Sequence, residues 1–407
     1  MDYIRADEYC DLVTDGTHDS PSRQDSGYYL ITSKHIKGAD INYDDAYMIS
    51  EEDYKKIIQR SKVDQWDILI SMIGVYCGFA HIVTEEKPNF AVKNVGILKT
   101  GSKSKAQWLY YYLSSPEGKN YLDSVKAGST QPYISLSELR KMPIPMPAQE
   151  TREMICAFLS TIDDKIYLNN QINTDLEQQA KNLFEYMFIA NTERSKWEIG
   201  TFSNVIESTL GGDWGKDSLS GNNTEKVYCI RGADIPEVKV GNIGKMPIRY
   251  ILPKNYENKR LLPGDIVVEI SGGSPTQSTG RVCAISQALL DRYDNGMVCT
   301  NFCRALKPKA GYSMFVYYYW QYLYERNVFF SYENGTTGIK NLDLTGFITT
   351  EEIVIPPLSV VHQFDVFCQS ILYMTFANGR QNEQLALLRD SLLPRLMTGE
   401  IDLSIVL

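Results

Sequence analysis

The sequence predicts an α+β fold in which two similar globules are joined to two long antiparallel helices that pair as a coiled coil. The first observation is an internal repeat: the segment Asp67–Ser71 (DILIS) returns about 200 residues later as Asp265–Glu269 (DIVVE), and Tyr110–Tyr112 returns as Tyr317–Tyr319. The second is that each copy begins with short strand-like runs and ends with a long helical stretch. Such a period fits a duplicated domain with its own connector and implies a pseudo-two-fold, a symmetry that duplex DNA can match.

Within this repeat, the sequence predicts four segments. The first globule spans residues 1–146, the first long helix or spacer 147–190, the second globule 197–355 and the second long helix 356–400. With 407 residues, each globule is long enough to bury a core of its own.

The globules are predicted from runs rich in β-branched and aromatic residues that Gly, Asn, Asp and Ser interrupt. These runs are Tyr28–Thr32, Asp67–Ile73, Phe79–Val83 and Val95–Leu98 in the first copy, and Val227–Arg231, Asp265–Ile270, Arg281–Ile285 and Phe302–Leu306 in the second. One helix interrupts the strands in each copy, at about 105–122 and 314–330. Its Tyr and Trp residues favour a core role over a binding stripe.

Each long helix follows a proline cluster, because proline is tolerated just ahead of a helix but not inside one. A 4,3 spacing predicts the seam of a coiled coil. The seam positions are Ile155, Leu159, Ile162, Ile166, Asn169, Asn173, Leu176, Ala180, Leu183 and Met187 in the first helix, and Phe364, Cys368, Ile371, Thr375, Asn378, Asn382, Leu385, Arg389, Leu392 and Leu396 in the second. A helix of about 40 residues is about 60 Å long, so the pair is predicted to act as a rigid spacer.

Four asparagines occupy matched seam positions: Asn169, Asn173, Asn378 and Asn382. One interpretation is that they are exposed and that the seam drifts to Ile172 and Leu388. The other is a buried polar layer that fixes the register of the two helices, a well-attested use of Asn in such a seam.

Composition excludes several classes of protein. Hydrophobic residues make up 43% and charged residues 22%, which is typical of a soluble globular chain. No apolar run reaches the ~18 residues of a membrane span, and no signal peptide is evident, so we expect a cytoplasmic protein with no membrane partner. The eight cysteines are predicted to be buried thiols without disulfides. A net charge of −9 argues against nonspecific coating of nucleic acid but leaves room for a local DNA-binding groove.

The order of several motifs resembles the specificity subunit of type I restriction-modification systems along essentially the whole chain. The motifs are Leu12–His18 (LVTDGTH), Gly128–Ser135 (GSTQPYIS), Ile144–Pro147 (IPMP), Ile162–Ile166 (IDDKI) and Leu392–Ile401 (LLPRLMTGEI). The resemblance implies that each globule is a target recognition domain reading one half of a bipartite DNA site. It also implies that the helices set the gap and dock methyltransferase subunits, which in turn bring restriction subunits.

The second copy departs from the first at two of these motifs. It has Gly338–Asn341 (GIKN) where the first has Gln131–Ile134 (QPYI), and it shows no match to the Thr-Asp-Gly-Thr segment. Equivalent DNA contacts are therefore not expected in the two halves, which is consistent with globules that read different sequences.

The residues predict no catalysis by this chain and no metal site. The only Pro-Pro, Pro356–Pro357, lacks the neighbours of a DNA amino-methyltransferase motif, and Gly215–Lys216 lacks the first glycine and the hydroxyl of a phosphate loop. Asp265 and Glu269 lie on one face of a strand, but no lysine follows as a nuclease would need. We expect S-adenosylmethionine only on a partner methyltransferase.

Recognition chemistry is predicted in polar, glycine-containing loops at matched places in the two copies, because Arg, Lys, Asn and Gln read base edges while Ser, Thr and Lys hold phosphates. The predicted double-stranded DNA contacts are Thr14, Thr17, His18, Lys34, His35, Ser129, Gln131 and Tyr133 in the first globule, and Arg231, Thr276, Gln277, Ser278, Thr336, Thr337 and Lys340 in the second. The alternatives to a DNA-specificity subunit are a noncatalytic protein-interaction scaffold and an orphan recognition subunit kept for recombination.

Overall fold

A computed structural model of the chain describes residues 2–38, 41–43, 45–274, 276–335 and 339–403. The chain divides into two compact units. The first unit comprises Met1–Asp164 with Leu385–Leu407, and the second comprises Lys165–Gln384. The unit boundaries fall inside the two long helices, so each unit combines one globule with a part of each helix.

In the first unit, two sheets share a core. A four-stranded antiparallel sheet has the order Leu12–Asp15, Val95–Lys99, Asp67–Ser71 and Ala80–Ile82. A three-stranded sheet has the order Tyr47–Ile49, Tyr28–Thr32 and Phe90–Lys93, with the last pair parallel. The helices are Ala6–Tyr9, Glu51–Ser61, Lys103–Ser114, Pro116–Ser124 and Leu136–Lys141, with a 3-10 turn at Ser33–His35.

The second unit repeats this topology strand for strand. Its four-stranded sheet has the order Ile206–Gly211, Cys303–Pro308, Ile266–Glu269 and Val282–Ala284, and its three-stranded sheet has the order Ile248–Ile251, Glu225–Ile230 and Met297–Cys299. A small further sheet pairs Ser271–Gly272, Lys340–Leu342 and Glu333–Asn334. The helices are Ile235–Lys239, Pro253–Lys259, Gln287–Leu290, Ser313–Glu325 and Leu344–Thr350, with 3-10 turns at Thr192–Lys196, Phe202–Asn204, Gly232–Asp234 and Val328–Tyr332.

Helices are where the sequence prediction needs correction. The predicted helix 105–122 is two helices that meet at Ser115, because Pro116 begins a new helix and the Ser115 hydroxyl caps it by accepting from the Gly118 amide at 3.2 Å. A second helix, Glu51–Ser61, was missed. Ser50 caps that helix by accepting from the Asp53 amide, a signal that the sequence did contain.

The proline clusters form edge strands as well as turns. Pro143–Pro145 pairs antiparallel with Tyr3–Arg5, and Glu352–Ile355 pairs antiparallel with Glu198–Thr201. Proline is accepted on an edge strand because its missing N–H can face away from the ladder. Each pair brings the start of a globule back to its end, just ahead of a long helix.

The two long helices are Gln149–Phe184, with a π turn at Glu185–Ile189, and Leu358–Met397. All the predicted seam positions are buried or half-buried, so the predicted coiled-coil face is confirmed. In the second unit Asn169 bonds to Asn382 and Asn173 to Asn378, which makes the helices antiparallel.

Each unit's core includes side chains from the long helices. In the first unit Leu393, Leu396 and Met397 are buried among residues of the N-terminal globule such as Ala6 and Trp108. In the second unit a cluster of aromatic residues gathers around the first long helix: Phe184, Phe188, Phe315, Tyr318, Tyr319 and Phe364. The C-terminal segment is therefore part of the fold of the first unit.

A buried ion pair recurs at the start of the central strand in both globules. Lys99 Nζ lies 2.8 Å from an Asp67 carboxylate oxygen, and Lys307 Nζ contacts Asp265 in the same way. Burial raises the pKa of both carboxyl groups, although the lysine opposes it. Asp265 is thus a structural residue at the start of the strand.

Candidate nucleic-acid interface

Four loops of the first globule meet at one edge of its two sheets. Ser33 ties three of them together: its hydroxyl donates to the Asn94 carbonyl at 2.5 Å and accepts from the Met72 amide at 3.1 Å. His18, from the fourth loop, contacts the Asn94 side chain through Nδ1 at 2.9 Å and Asp15 through Nε2 at 2.9 Å. These contacts place His18 beside the loop that carries Lys34.

The loop 128–133 joins the same edge. Tyr133 forms a β-bridge with Ile73, and the Gly74 amide donates to the Pro132 carbonyl at 2.8 Å. We call this edge the first loop surface. Its exposed or half-exposed predicted residues are Thr17, His18, Lys34, Ser129, Gln131 and Tyr133. Asn94 lies at the same edge but was not predicted as a contact.

Two residues predicted to contact DNA in the first globule are buried. Thr14 lies within a strand, and His35 caps the 3-10 turn by accepting from the Thr32 amide through Nδ1 at 2.8 Å. Burial, with help from the Lys34 charge, lowers the pKa of His35 and favours its neutral ring. These side chains shape the loop surface from below and are not available to a ligand above it.

The second globule builds an equivalent edge. The Asp213 amide donates to the Cys299 carbonyl as the Thr17 amide donates to Val92. Gly16 lies against the Val92 carbonyl and Gly212 against the Thr300 carbonyl. In each case an added Cβ atom would overlap that carbonyl group. Gly212 is therefore the counterpart of Gly16. The sequence comparison missed this match because the spacing between matched blocks shifts by a few residues.

Arg231 occupies the position of Thr32 at this second edge. Asp234, in the place of His35, caps the turn by accepting from the Arg231 amide at 3.0 Å. Its carboxylate also accepts from Arg231 Nε at 2.9 Å and from Arg231 Nη2 at 3.0 Å. Burial raises the Asp234 pKa, but the bonds from Arg231 and the Lys245 amide outweigh it, so the pKa is lowered. The guanidinium is consequently held in a fixed orientation at the loop edge.

The other predicted residues of the second globule differ in exposure. Thr276 and Gln277 are exposed, whereas Ser278 is buried and its carbonyl accepts from the Tyr324 hydroxyl. Lys340 Nζ is paired with the Glu333 carboxylate at 2.7 Å. Thr336 and Thr337 lie outside the described residues. The prediction that Ser278 contacts DNA is thus not supported by its position, because its side chain is enclosed.

A pocket of about 570 Å³ opens between these loops. Its walls include Trp214, Arg231, Asn301, Phe302 and Ile339. Trp214, Phe302 and Ile339 were not predicted. Trp214 lies two residues after Gly212, as His18 lies two residues after Gly16. Matching Gly212 with Gly16 in the sequence would therefore have identified Trp214 as the counterpart of His18. We call this edge, with Arg231 and the pocket, the second loop surface.

The seam asparagines form a hydrogen-bonded layer between the long helices. Asn169 Nδ2 donates to Asn382 Oδ1, and Asn378 Nδ2 donates to Asn173 Oδ1, both at 2.8 Å. Asn173 Nδ2 also donates to the Val240 carbonyl of the globule at 3.0 Å. Asn169, Asn173 and Asn382 are buried and Asn378 is half-buried, so the geometry matches the buried layer and not the exposed alternative.

All eight cysteines are unpaired and buried, and burial raises the pKa of Cys10 and Cys299 to about 12, which keeps these thiols protonated near neutral pH. Within the described ranges no group of three or more His, Cys, Asp or Glu side chains could hold a metal ion. Among the helices that the structure describes, none has the length and apolar content to cross a membrane.

Comparison with known proteins gives consistent matches. Residues 8–178 match the family model for the type I restriction modification DNA specificity domain. The chain is 26% identical over 314 residues to the type I restriction enzyme MjaIX specificity subunit of Methanocaldococcus jannaschii, covering 73% of this chain and 69% of that protein. It is 22% identical over 409 residues to the HindI specificity subunit of Haemophilus influenzae, covering 84% and 88%.

Among solved structures, the fold resembles that of the type I restriction-modification S subunit from M. genitalium. The TM-score is 0.53 at 13% sequence identity, and the match covers 97% of this chain and 95% of that one. The likeness concerns the fold of a duplicated, helix-linked chain.

Proposed function

This chain belongs to the specificity subunits of type I restriction-modification systems, and we propose that it selects a bipartite DNA sequence for a methyltransferase complex. The first and second loop surfaces would each contact one half of the target. The observation that carries this proposal is the repetition of one loop framework with different side chains in the two units. Such a framework allows one chain to carry two recognition surfaces that prefer different DNA sequences.

The side-chain differences support two different half-sites. Where the first surface has His18 and Thr32, the second has Trp214 and Arg231. Arg231 donates through Nε and Nη2 to Asp234 and the Lys245 carbonyl, so its Nη1 group would contact guanine. Gln131 of the first surface suits adenine. Lys34, exposed at the first surface, suits a backbone phosphate.

We assign the gap between half-sites to the long helices, because their asparagine layer permits few alternative registers. Methyltransferase subunits would dock on the helix flanks, where Tyr167, Leu168, Val366 and Tyr373 are exposed. Apolar side chains exposed on a helix commonly mark a protein interface. Restriction subunits would join through the methyltransferase, and the complex would act on chromosomal DNA in the cytoplasm.

In this proposal the chain itself is noncatalytic. The methyltransferase partner would bind S-adenosylmethionine, and this chain would carry no cofactor. Its protonated thiols and paired carboxylates favour a role in positioning DNA over a role in bond chemistry.

Binding to duplex DNA as a function of salt tests this proposal. For the chain assembled with its methyltransferase, the logarithm of affinity should fall linearly with the logarithm of salt concentration, because phosphate contacts release counterions. Lys34→Ala should lower that slope by about one. Lys55→Ala is the matched control, since Lys55 is exposed on a helix and paired with Glu51. Absence of duplex binding, as expected of a protein scaffold, would contradict the proposal.

A further inference from the structure

The pocket in the second loop surface points to a ligand, and we propose that it receives one unstacked nucleobase of the bound DNA. This inference rests on the proposed function and adds to it: the second half-site would be read partly by insertion of a base, and the first half-site by its loop surface alone.

The size and position of the pocket suit a base. Its volume of about 570 Å³ lies within the range of small-molecule sites and exceeds the volume of a single base. It opens between the loop that carries Trp214 and the loop that carries Phe302, beside Arg231. Any base that leaves a duplex docked on this surface would therefore have a cavity to enter.

Two aromatic side chains provide stacking surfaces. Phe302 is 61% exposed and Trp214 39% exposed, and both rings line the pocket. The Arg249 guanidinium lies 4.0 Å from the centre of the Trp214 ring, and Arg249 Nε donates to the Trp214 carbonyl at 2.8 Å. Trp214 is thus held in place before a ligand arrives. Stacking of a base on an aromatic ring contributes about 1–3 kcal/mol.

Polar groups at the pocket can read the edge of a base. Asn301 is exposed there and offers both a donor and an acceptor. Thr300 is 2% exposed and lines the pocket, and its hydroxyl interacts with the Cys303 thiol. A thiol is a weak hydrogen-bond partner, so the Thr300 hydroxyl can also serve a base edge that enters the pocket.

The charge at the pocket is compatible with DNA. Glu269 is its one carboxylate among the described lining residues, and both oxygens of Glu269 accept from Arg281 at 2.7 Å. The Arg231 guanidinium also lines the wall. Repulsion of a nearby phosphate is therefore weak.

The first globule differs at the equivalent positions. Its counterparts of Trp214 and Arg231 are His18 and Thr32, and Val95, a buried strand residue, follows Asn94 where Phe302 follows Asn301. The first surface has the exposed Tyr133 ring in a different loop, but the pair of exposed rings at the positions of Trp214 and Phe302 belongs to the second surface. This difference restricts the proposal to one half-site.

The test is a mismatch scan of the target duplex with the full chain assembled with its methyltransferase. A mismatch normally weakens specific binding, but at a position where the base must unpair it lowers the energy of extrusion. We expect one position of the second half-site at which a mismatch tightens binding about tenfold. Phe302→Ala should remove that gain, Phe302→Tyr should retain it, and Phe79→Ala, at an exposed phenylalanine of the first unit, should leave it unchanged.

Three results would overturn the inference. One is that mismatches at every position of the second half-site weaken binding. Another is that the gain persists in both Phe302→Ala and Trp214→Ala, which would assign base extrusion to the methyltransferase. The third is that free deoxynucleosides or S-adenosylmethionine fill the pocket, detected by quenching of Trp214 fluorescence that Trp214→Phe abolishes, without any mismatch effect. Failure of the wild-type complex to prefer its target over random duplex would instead contradict the proposed function.

Discussion

His35 and Asp234 cap the same turn in the two units with different chemistry. The imidazole Nδ1 accepts from the Thr32 amide, and the carboxylate accepts from the Arg231 amide. An imidazole can accept through Nδ1 only while that nitrogen is unprotonated. The first loop surface therefore rests on a histidine whose pKa is lowered by burial. The second rests on an aspartate whose pKa burial raises but the bonds from Arg231 and the Lys245 amide bring below its usual range.

This difference predicts a pH dependence of stability for the first unit. Because burial lowers the His35 pKa, the unfolded chain binds a proton at higher pH than the folded one. The stability contributed by neutral His35 is complete above the unfolded pKa of about 6.5 and is lost as pH falls toward the lower folded pKa. His35→Asn, which keeps a capping oxygen without a titrating group, should flatten this part of the stability curve.

Thermal unfolding of both proteins between pH 8 and pH 5 would measure the effect. His18→Asn serves as the control, since His18 is exposed. An unchanged slope in the His35→Asn variant would show that the buried ring does not control the acid sensitivity of the first unit.

Sequence composition identifies loops but not the exposure of each residue within them. The half-exposed Thr17 and the exposed His18, Lys34 and Gln131 follow from polar, glycine-containing segments. The burial of His35 and Ser278 does not, because a cap and an enclosed turn residue have the same composition as an exposed loop. Trp214 and Phe302 were missed because an aromatic residue in one sequence is more often core than surface.

The asparagine layer constrains the register in which the two long helices pair. Asn169→Leu should lower stability by about 1–3 kcal/mol, because it leaves the buried amide of Asn382 with fewer partners. Combining Asn169→Leu with Asn382→Leu should recover part of this loss, since two apolar groups need no partner. Chemical denaturation of the single and double variants measures the coupling.

Gln178→Leu provides a control on the same helix, at an exposed polar position. In the double variant we expect the two half-site sequences to stay the same while the gap becomes less defined. If the loss of stability in the double variant equals the sum of the losses in the two single variants, the asparagines do not act as a pair.

The seam of these helices was predictable because the 4,3 spacing is set by helix geometry alone. The close approach of Gly379 to Gly241, where a Cβ on the helix would overlap the loop carbonyl, was not predictable. Contacts of this kind depend on where a globule packs against a helix, and neither glycine carries a pattern that identifies its partner.

For the whole molecule, the C-terminal end of the second helix completes the core of the first unit. Leu393→Ala or Leu396→Ala should each lower the stability of that unit by about 2–5 kcal/mol, because both side chains are buried among residues of the N-terminal globule. Leu387→Ala is the control, since Leu387 is 71% exposed on the same helix. Hydrogen exchange of the first-unit strands measures the loss, and full protection in both variants would contradict this assignment.

The duplicated α+β architecture was predictable because the repeat is visible in the sequence and each copy has the same order of strands, prolines and helix. The division into units was less so. The sequence places a boundary at each proline cluster, whereas the compact units divide inside the long helices at Asp164 and Gln384. Sequence patterns report local structure, but packing determines which distant segments share a core.

The methylation pattern of genomic DNA from cells that express this chain with its methyltransferase tests most directly whether each loop surface reads one half-site. We expect two short defined sequences separated by a fixed, unspecified gap. Arg231→Ala should relax one of the two sequences and leave the other unchanged. A single uninterrupted target, or a change in both halves from that one substitution, would contradict the assignment of one half-site to each loop surface.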